Sequence, residues 1–458
     1  KRHDLIGRAD AEESGISVLD KEFIDLYTDG FAEVSAAWRA LDWPDIEAHS
    51  GLSREEIAAF ADDVVASKAT VVCWAMGLTQ HKNAVPTIRE VMNFLLLRGN
   101  IGRPGAGPCP VRGHSNVQGD RTMGIWEKMP DKFLDALGQE FGFAPPREHG
   151  WDTVDSIRAM RAGKVDVFVG LGGNFAAATP DTAATEEALS RCALTVHIAT
   201  KLNRSHLTHG REALILPCLG RSERDAGGFV TVEDSMSVVH ASRGRLAPAA
   251  DTQRSEVSIL CGLAREMFGE DIDWTTMESD YSVIRSHIAK VVPGFRDFEA
   301  RVSAPGGFTL PRPPRDERRF QTPTGRARFT VNEVSSLVAP EGHLLLQTIR
   351  SHDQFNTTVY GLDDRYRGVH GGRRVVLVSA ADLAALGFCD GETVDLVSVW
   401  SDGERRAPAF RIVEYPVTPG CAAAYFPETN VLIPLDSVAD ISNTPTSKSI
   451  VVKLIRRK

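Results

Sequence analysis

Short apolar runs that stop at glycine and lead into a helical pattern recur through the first half of the chain. ATVVCWAM, at residues 69–76, has the length of a buried strand and stops at Gly77, after which apolar residues recur at helical spacing. The pattern returns at residues 164–174 and continues through two more apolar runs, LTVHIA and EALILP. Strands that alternate with helices pack as a parallel sheet covered by helices. The sequence therefore predicts an α/β fold of doubly wound parallel-sheet units.

The last part of the chain has a different pattern. Short runs rich in β-branched residues, from LLLQTIR to SIVVKLI, are separated by turns and predict a compact C-terminal β-barrel. A proline-rich, charged stretch at residues 303–324 predicts a linker before it. The predicted organisation is the C-terminal part of an α/β domain at 1–112, a second α/β domain at 113–225, a mixed segment with the linker at 226–338, and the barrel at 339–458.

Composition excludes two classes of partner. The 458 residues carry a net charge of −9, so most of the surface repels nucleic acid and anionic membranes. No apolar run approaches the length of a membrane span. The seven cysteines are scattered without a CxxC pair, which predicts buried free thiols in a reducing, cytoplasmic compartment and no disulfide frame, zinc site or iron–sulfur site in this chain. The opening KRHDLIGRAD, without a methionine, predicts further sequence upstream.

One stretch, NIGRPGAGPCPVRGHSNVQG at residues 100–119, has a composition that no hydrophobic core requires. Its five glycines and three prolines predict a rigid path with little side-chain bulk, along which backbone can approach a ligand. Polar side chains that would face the ligand are Arg112, His114, Asn116 and Gln118. A structural ion pair beneath the loop is the other interpretation of Arg112.

A second glycine loop, GLGGNFA at residues 170–176, follows a strand and is a candidate nucleotide site, since ligands bind at such strand ends. The alternative to a nucleotide site is that these glycines only allow the chain to turn. The loop departs from the dinucleotide fingerprint because Phe175 stands at the third glycine position, so a nicotinamide-dependent dehydrogenase has weak support. Residues 199–212 group histidines with cations but lack a carboxylate or thiolate at ligand spacing, which favours a solvated basic loop over a metal site.

Two polar stretches of the predicted barrel are candidate ligand contacts. QTIRSHDQFNTT, at residues 347–358, is dense in hydrogen-bonding side chains and suits a ligand with many polar edges, such as a purine or a pterin. The alternative to a ligand site is an edge strand with one solvent-exposed face. SNTPTSKS, at residues 442–449, offers Asn443 and Lys448 to the same ligand, or is a plain turn.

In combination and order, these motifs resemble those of the molybdopterin oxidoreductases of the dimethyl sulfoxide reductase superfamily. The motifs that carry the resemblance are WAMGLTQH, GNIGRPGAGPCPVRGHSNVQG, LGGN, LILP, TPTGRARF, TIRSHDQFNTT and LGFCDGETVDLVS. The similarity spans about residues 15–458, and PVRGHSNVQG resembles the formate-dehydrogenase-like branch. The resemblance implies that the barrel is of the double-psi type.

The resemblance also implies a cofactor, bis-molybdopterin guanine dinucleotide with molybdenum or tungsten. Its phosphates, pterins and guanines need cations, hydrogen-bonding side chains and glycine-lined walls. The implied cofactor-binding residues are Gly77, Thr79, Gln80, Gln118, Gly119, Gly172, Gly173, Asn174, Thr200, Lys201, Arg350, Ser351, Gln354, Asn356, Thr357, Thr358, Asn430, Asn443 and Lys448. No metal ligand is implied in this chain, because family members take that ligand, and usually a 4Fe-4S cluster, from an N-terminal region.

The reaction that the resemblance implies is two-electron oxidation of formate to carbon dioxide at the metal. The implied catalytic residues are Arg112, whose planar guanidinium matches a carboxylate, and His114. The implied partners are formate or a similar small molecule, the N-terminal region of the same protein, and an electron-transfer partner. The chain alone is expected to be inactive, and a cofactor-binding fragment or subunit without turnover is the alternative function.

Overall fold

The structure, a computed structural model, describes residues 18–355, 357 and 359–457. Its α-helices are α1 Lys21–Tyr27, α2 Phe31–Ala40, α3 Trp43–Ser50, α4 Arg54–Ala66, α5 Met76–Thr79, α6 Ala84–Leu97, α7 Val117–Thr122, α8 Asp131–Phe141, α9 Thr153–Arg161, α10 Phe175–Ala178, α11 Thr182–Arg191, α12 Glu256–Phe268, α13 Trp274–Ser279, α14 Tyr281–Val291, α15 Phe298–Ser303, α16 Pro313–Asp316 and α17 Ala380–Leu386. Its strands are β1 Thr28–Asp29, β2 Val71–Trp74, β3 Gly107–Pro110, β4 Val167–Leu171, β5 Leu194–Ala199, β6 Glu212–Pro217, β7 Val230–Glu233, β8 Val238–Ser242, β9 Phe308–Thr309, β10 Ala327–Arg328, β11 Leu344–Ile349, β12 Val375–Val378, β13 Thr393–Trp400, β14 Gly403–Glu414, β15 Cys421–Tyr425 and β16 Ile450–Arg456. Among the described helices, none is long and apolar enough to cross a membrane.

The first α/β unit buries the helix that the apolar spacing predicts. α6 places Leu95 and Leu96 in a core with Phe23 and Ile24 of α1 and with Phe329. Val91 and Met92 pack against the same core one helical turn earlier, so one face of α6 is apolar. The loop between β2 and α6 is therefore held at both ends, by a strand and by a packed helix.

The glycine- and proline-rich stretch contains a strand that the sequence analysis did not predict. β3 pairs in parallel with β2, and the N–H groups of Gly107 and Val111 donate to the carbonyls of Thr70 (3.0 Å) and Trp74 (2.7 Å). The two prolines of β3 occupy the alternate positions, where no donor toward β2 is needed. Proline lowers the strand signal of a sequence, although an edge strand accommodates it at such positions.

The second α/β unit confirms the predicted alternation of strands and helices. β4, β5 and β6 form a parallel sheet in that order, with Val169 opposite Val196 and Val196 opposite Leu214. α9 and α11 pack together, and Ile157 and Leu189 are buried between them and β4. Because the strands run in the same direction, the loops that follow them lie at one edge of the sheet.

The middle of the chain incorporates the stretch that was predicted as a linker. β7, β8 and β9 form an antiparallel sheet, and Phe295, Phe298 and Leu310 lie in its core. Residues 303–324 supply β9 and α16 to this unit, and Arg312 pairs with the buried carboxylate of Glu233 (2.6 Å). The structure thus differs from the sequence prediction here, because strand pairing and an ion pair hold the stretch against the protein.

The C-terminal part is a closed barrel, as predicted. Its six strands follow the order β11-β15-β12-β14-β13-β16, and β16 pairs with β11 as well as with β13. β11–β15 and β12–β14 are parallel pairs, and the other neighbours are antiparallel. Leu346, Val376, Val378, Phe410 and Ile412 fill the interior. Closure leaves no strand edge unpaired and gives a rigid frame for the loops at its rim.

Candidate functional site

Three segments that are far apart in sequence meet beside the carboxyl end of β11. The N–H of Lys448 donates to the carbonyl of Gln80 (3.2 Å), and the N–H of Asp440 donates to the carbonyl of Lys82 (3.0 Å). The Lys448 ammonium donates to the carbonyl of Thr348 and to its Oγ1 (3.3 Å). The loop after β2, the segment before β16 and the end of β11 are therefore adjacent.

The second α/β unit reaches the same part of the barrel through two asparagines. Asn174 Nδ2 donates to the carbonyl of Thr357 (3.3 Å), and Asn430 Nδ2 donates to the carbonyl of Ala177 (2.7 Å). The N–H of Asp181 donates to the carbonyl of Asn430 (3.1 Å). The loops after β2 and β4 thus both contact segments at the rim of the barrel, which is the arrangement that one large shared ligand requires.

Arg350 and Lys448 form a cation pair at this junction, and no described carboxylate lies within ion-pairing distance of either side chain. Burial lowers the pKa of Arg350, while burial and then the Arg350 charge lower the pKa of Lys448 to about 8. A cavity of about 970 Å³ borders Lys448, Lys82 and Gln347. The carboxylates Glu333 and Asp440 also border this cavity. An anion bound between Arg350 and Lys448 would stabilise both charges, so the cation pair is a candidate phosphate site.

The glycine loop after β4 exposes its backbone to open space. Gly172 and Gly173 have φ values of +68° and +71°, and a Cβ on either would meet no atom within 4 Å. Asn203 Nδ2 donates to the carbonyl of Gly173 (2.7 Å), and Asn174 Oδ1 accepts from Ser205 Oγ (3.3 Å). The turn is therefore fixed by side chains on one side and left accessible to a ligand on the other.

A cavity of about 510 Å³ lies between this loop and the barrel. Its lining includes Arg204, Arg374 and Arg406, whereas Glu428 is the one acidic side chain among its described lining residues. Arg204 pairs with Glu186, and Arg406 pairs with Asp395 (3.1 Å). Arg374 is therefore the lining arginine without a carboxylate partner among the described residues, and it is the one available to an anionic ligand. Sequence reasoning did not assign these arginines to a site, because they come from the loop after β5, from the residue before β12 and from β14, none of which carries a motif there.

Asn430 holds a polar atom that no described residue satisfies. The residue is 1% exposed, and its Oδ1 has no hydrogen-bond partner in the described part of the chain. A buried amide oxygen without a donor costs about 1–3 kcal/mol, so native structures satisfy nearly all such atoms. An N–H on the edge of a pterin or guanine would supply the missing donor, and the residue therefore fits the implied cofactor.

The turn that carries Arg112 lies against the loop that follows β2. Arg112 Nη2 donates to Gln118 Oε1 (3.0 Å), and the Met76 methyl group lies 3.8 Å from the position of a Cβ on Gly113. The turn therefore adjoins α5, which carries the predicted contacts Gly77 and Thr79. Among the described residues no carboxylate pairs with Arg112, so the structural ion pair that was its alternative interpretation is not observed.

Gly119 serves a close approach inside the protein. It is buried, and a Cβ on it would lie 2.1 Å from Asn116 Oδ1, which accepts from the N–H of Glu233 (3.0 Å). Asn116 thus links the turn to β7 through this hydrogen bond. His114 is exposed at the tip of the turn.

Ser351 and Gln354 belong to a buried network around Arg373. This guanidinium donates to Ser351 Oγ (2.6 Å) and Gln354 Oε1 (2.9 Å) and pairs with Glu428 (2.7 Å). The two predicted contacts therefore help to fix the loop that carries Thr357. Sequence reasoning missed Arg373, because one arginine before a strand gives no local signal of its partners.

Three more predicted residues, Asn443, Thr200 and Lys201, lie on segments next to those already described. Asn443 Nδ2 donates to both carboxylate oxygens of Asp152 (3.1 and 2.9 Å) and ties the segment before β16 to the start of α9. Thr200 and Lys201 are exposed on the loop after β5. The remaining two, which lie outside the described residues, are Asn356 and Thr358.

The cysteines depart from the prediction of scattered, buried thiols. Cys73 and Cys389 are exposed, and Cys73 lies opposite Cys109 across the β2–β3 pair. Strand pairing brings together two thiols that the sequence separates. The described residues contain no group of three or more His, Cys, Asp or Glu side chains that could hold a metal ion.

A buried carboxylate, Asp364, anchors the loop after β11. Its oxygens contact Arg367 Nη1 (2.7 Å), His352 Nδ1 (2.9 Å) and the Tyr425 hydroxyl (2.9 Å). Burial by itself raises the pKa of this carboxyl, but the three hydrogen bonds outweigh burial and lower the pKa from 3.8 to about 2. The loop that faces the candidate site is therefore held by an ionised group.

This carboxylate should make stability depend on pH in the acid range. Because the folded-state pKa is the lower one, the contribution of about 2 kcal/mol is complete above pH 4 and is lost as the pH falls toward 2. We expect Asp364→Asn to lower the free energy of unfolding by about that amount at pH 7, and the difference from wild type to vanish near pH 2. Urea unfolding between pH 2 and 7 measures it. Asp363→Asn, at an exposed neighbour, is the control, and an equal effect of both substitutions would contradict the assignment.

Comparison with known proteins assigns the barrel. The family model for the molydopterin dinucleotide binding domain matches residues 344–451. An uncharacterized oxidoreductase of Mycobacterium tuberculosis is 57% identical over 96% of this chain and 58% of its own length. Protein YdeP of Escherichia coli is 44% identical over 98% of this chain and 61% of its own length. The chain thus spans about three fifths of the length of these relatives.

A solved structure shows the same fold. Acetylene hydratase from Pelobacter acetylenicus matches with a TM-score of 0.68 and 15% identity, over 98% of this chain and 69% of that one. The matched domain and the barrel define a protein that binds a molybdopterin dinucleotide. The matched barrel domain, the oxidoreductase relative and the shared fold agree with the resemblance to the molybdopterin oxidoreductases of the dimethyl sulfoxide reductase superfamily. The resemblance drawn from its motifs is therefore confirmed.

Proposed function

We propose that the chain holds the nucleotide arms of a bis-molybdopterin guanine dinucleotide between its α/β units and its barrel. The observation that carries this proposal is the pair Arg350 and Lys448, two cations that have no carboxylate partner among the described residues. They would bind one diphosphate, while the open backbone at Gly172 and Gly173 would approach the other. Asn430 Oδ1 would accept a hydrogen bond from a pterin or guanine N–H.

Other residues extend these contacts along both arms. On the side of the first α/β unit the proposed contacts are Gly77, Thr79, Gln80, Gln118 and Gly119, and on the side of the second they are Asn174, Thr200, Lys201 and Thr357. Arg374, which lines the smaller cavity, would add positive charge near the second arm. Both α/β units and the barrel must then be folded together before either arm is enclosed.

We propose formate as the substrate of the cofactor-loaded protein. The bound cofactor supplies a two-electron redox centre at its metal, molybdenum or tungsten. The Arg112 guanidinium binds the formate carboxylate. Gln118 Oε1 orients the guanidinium, because it accepts a hydrogen bond from Arg112 Nη2 (3.0 Å). Formate loses two electrons and one proton as it becomes carbon dioxide, and a ring nitrogen of His114 accepts the proton. An electron-transfer partner then takes the electrons.

The substitution Arg112→Lys tests this role. A lysine keeps the charge but lacks the planar fork, so we expect kcat/KM for formate to fall about tenfold or more. Dye reduction measures it in the cofactor-loaded protein that includes the proposed N-terminal region, because the chain alone is expected to be inactive. Arg121→Lys, at an exposed position of α7, should leave kcat/KM unchanged. Guanine nucleotide released by acid measures cofactor loading in each variant. If the wild-type protein carried its full complement of cofactor but did not oxidise formate, formate would not be the substrate, and the function of the chain would be to hold the cofactor. If no guanine nucleotide were released, the cofactor assignment itself would be wrong.

A further inference from the structure

Two cysteines face each other across the strands that carry the candidate site. The parallel register of β2 and β3 places Cys73 directly opposite Cys109. Neighbouring strands lie about 4.8 Å apart, which falls within the Cα separation that a disulfide spans. Side chains at paired positions point to the same face of a sheet. No other two cysteines share a register position among the described strands.

The surroundings of the two thiols differ. Cys73 is exposed, whereas Cys109 is half-buried. Burial first, and then its hydrogen-bonding interaction with Cys73, raise the pKa of Cys109. A dissolved oxidant therefore reaches Cys73 first, and the Cys109 thiol is already in contact with the sulfur that would be oxidised.

We propose that Cys73 and Cys109 form a reversible intramolecular disulfide when the protein meets a peroxide. Cys73 sulfur attacks one peroxide oxygen, the O–O bond breaks, and one water leaves as a sulfenic acid forms. Cys109 sulfur then displaces the sulfenic oxygen as a second water. Two S–H bonds are lost and one S–S bond forms, so the thiols supply the two electrons that reduce the peroxide. A small dithiol reverses the reaction by exchange.

The disulfide would clamp the strands that lead into two loops of the site. Met76 begins α5 three residues after Cys73, and Arg112 follows Cys109 at the same distance. The strand ends are already joined by the hydrogen bond from Val111 N–H to the carbonyl of Trp74 (2.7 Å). The cross-link itself does not depend on the proposed function, whereas any effect on formate turnover does.

Peptide mapping tests the proposal without an activity measurement. After treatment of the whole protein with hydrogen peroxide and alkylation of the remaining thiols, we expect the peptides that contain Cys73 and Cys109 to appear linked. Their joint mass should be about 2 Da below the sum of the free peptides, and dithiothreitol should separate them. Cys389, which is also exposed, should remain alkylated and serves as the internal control.

Single substitutions identify the sulfur atoms involved. Cys73→Ser and Cys109→Ser should each abolish the linked peptide, whereas Cys389→Ser should leave it unchanged. If Cys73 were oxidised to sulfinic acid while Cys109 remained a free thiol, and was therefore alkylated, the proposal would be overturned. A Cys73 link between two chains, seen as a dimer on non-reducing gels, would overturn it as well. Because the wild-type protein alone gives the first result, misfolding of a variant does not remove the test.

Discussion

Replacement of Arg373 by methionine is expected to lower the free energy of unfolding by about 3–5 kcal/mol. The guanidinium is buried and pairs with Glu428 (2.7 Å), whose carboxylate would remain largely buried without its partner. Ser351 Oγ and Gln354 Oε1 would each lose a donor as well. Methionine keeps much of the apolar part of the side chain, so the decrease in the free energy of unfolding comes mainly from the lost hydrogen bonds and ion pair and less from lost packing. Equilibrium unfolding in urea measures the change.

The adjacent arginine supplies a matched control for this prediction. Arg374 is exposed and donates to the carbonyl of Pro408 (3.1 Å), so Arg374→Met should cost less than about 1 kcal/mol. Addition of Glu428→Gln to Arg373→Met should recover part of the loss, because the second change removes the unpaired charge. Equal effects of the two arginine substitutions, or no recovery in the double variant, would show that the network does not hold the loop.

Replacement of Lys448 by methionine is expected to have opposite effects on the cofactor-free and the loaded protein. Without an anion, the charged ammonium is disfavoured, and its pKa lies at about 8 instead of 10.5. Below pH 8 this costs the folded state about 3 kcal/mol, and the cost declines as the pH rises toward 10.5, where the unfolded chain also loses the proton. Lys448→Met should therefore stabilise the cofactor-free chain at pH 7, and the difference should shrink at higher pH.

The same substitution should reduce cofactor retention. Arg350 would remain as the single cation at the candidate phosphate site, and Lys448 would no longer supply a charge-assisted contact. Guanine nucleotide per protein after gel filtration is the measurement, with Lys453→Met as the control, since Lys453 is on β16 and pairs with Glu404 (3.1 Å). If Lys448→Met retained cofactor as well as wild type, the site at Arg350 and Lys448 would not bind the diphosphate.

Much of the architecture follows from local patterns. The runs LTVHIA and EALILP coincide with β5 and β6, and the β-rich runs after residue 340 became the six strands of the barrel. Pattern recognition succeeds there because apolar, β-branched runs of strand length are bounded by turn residues. It failed for β3, where Pro108 and Pro110 weaken the strand signal, and for residues 303–324, where prolines line a path that is packed against the middle unit.

The candidate site was only partly accessible to sequence reasoning. Motif residues such as Gly172, Asn174 and Lys448 could be named, because glycine turns and polar clusters are local features. Arg373 and the cavity arginines could not, since their partners and neighbours come from segments that are distant in sequence. Ser351 and Gln354 were named as ligand contacts, whereas the structure shows that they also belong to the Arg373 network.

Local sequence patterns were enough to establish an α/β chain with a terminal barrel, its loops of small residues, and the residue types that suit a large polar anion. The folded arrangement was needed to bring Lys448 against Thr348 and Gln80, and Cys73 opposite Cys109. The physical reason is that helical and strand periodicity depend on neighbours a few residues apart, whereas contact between distant segments depends on strand register and on how separate cores pack.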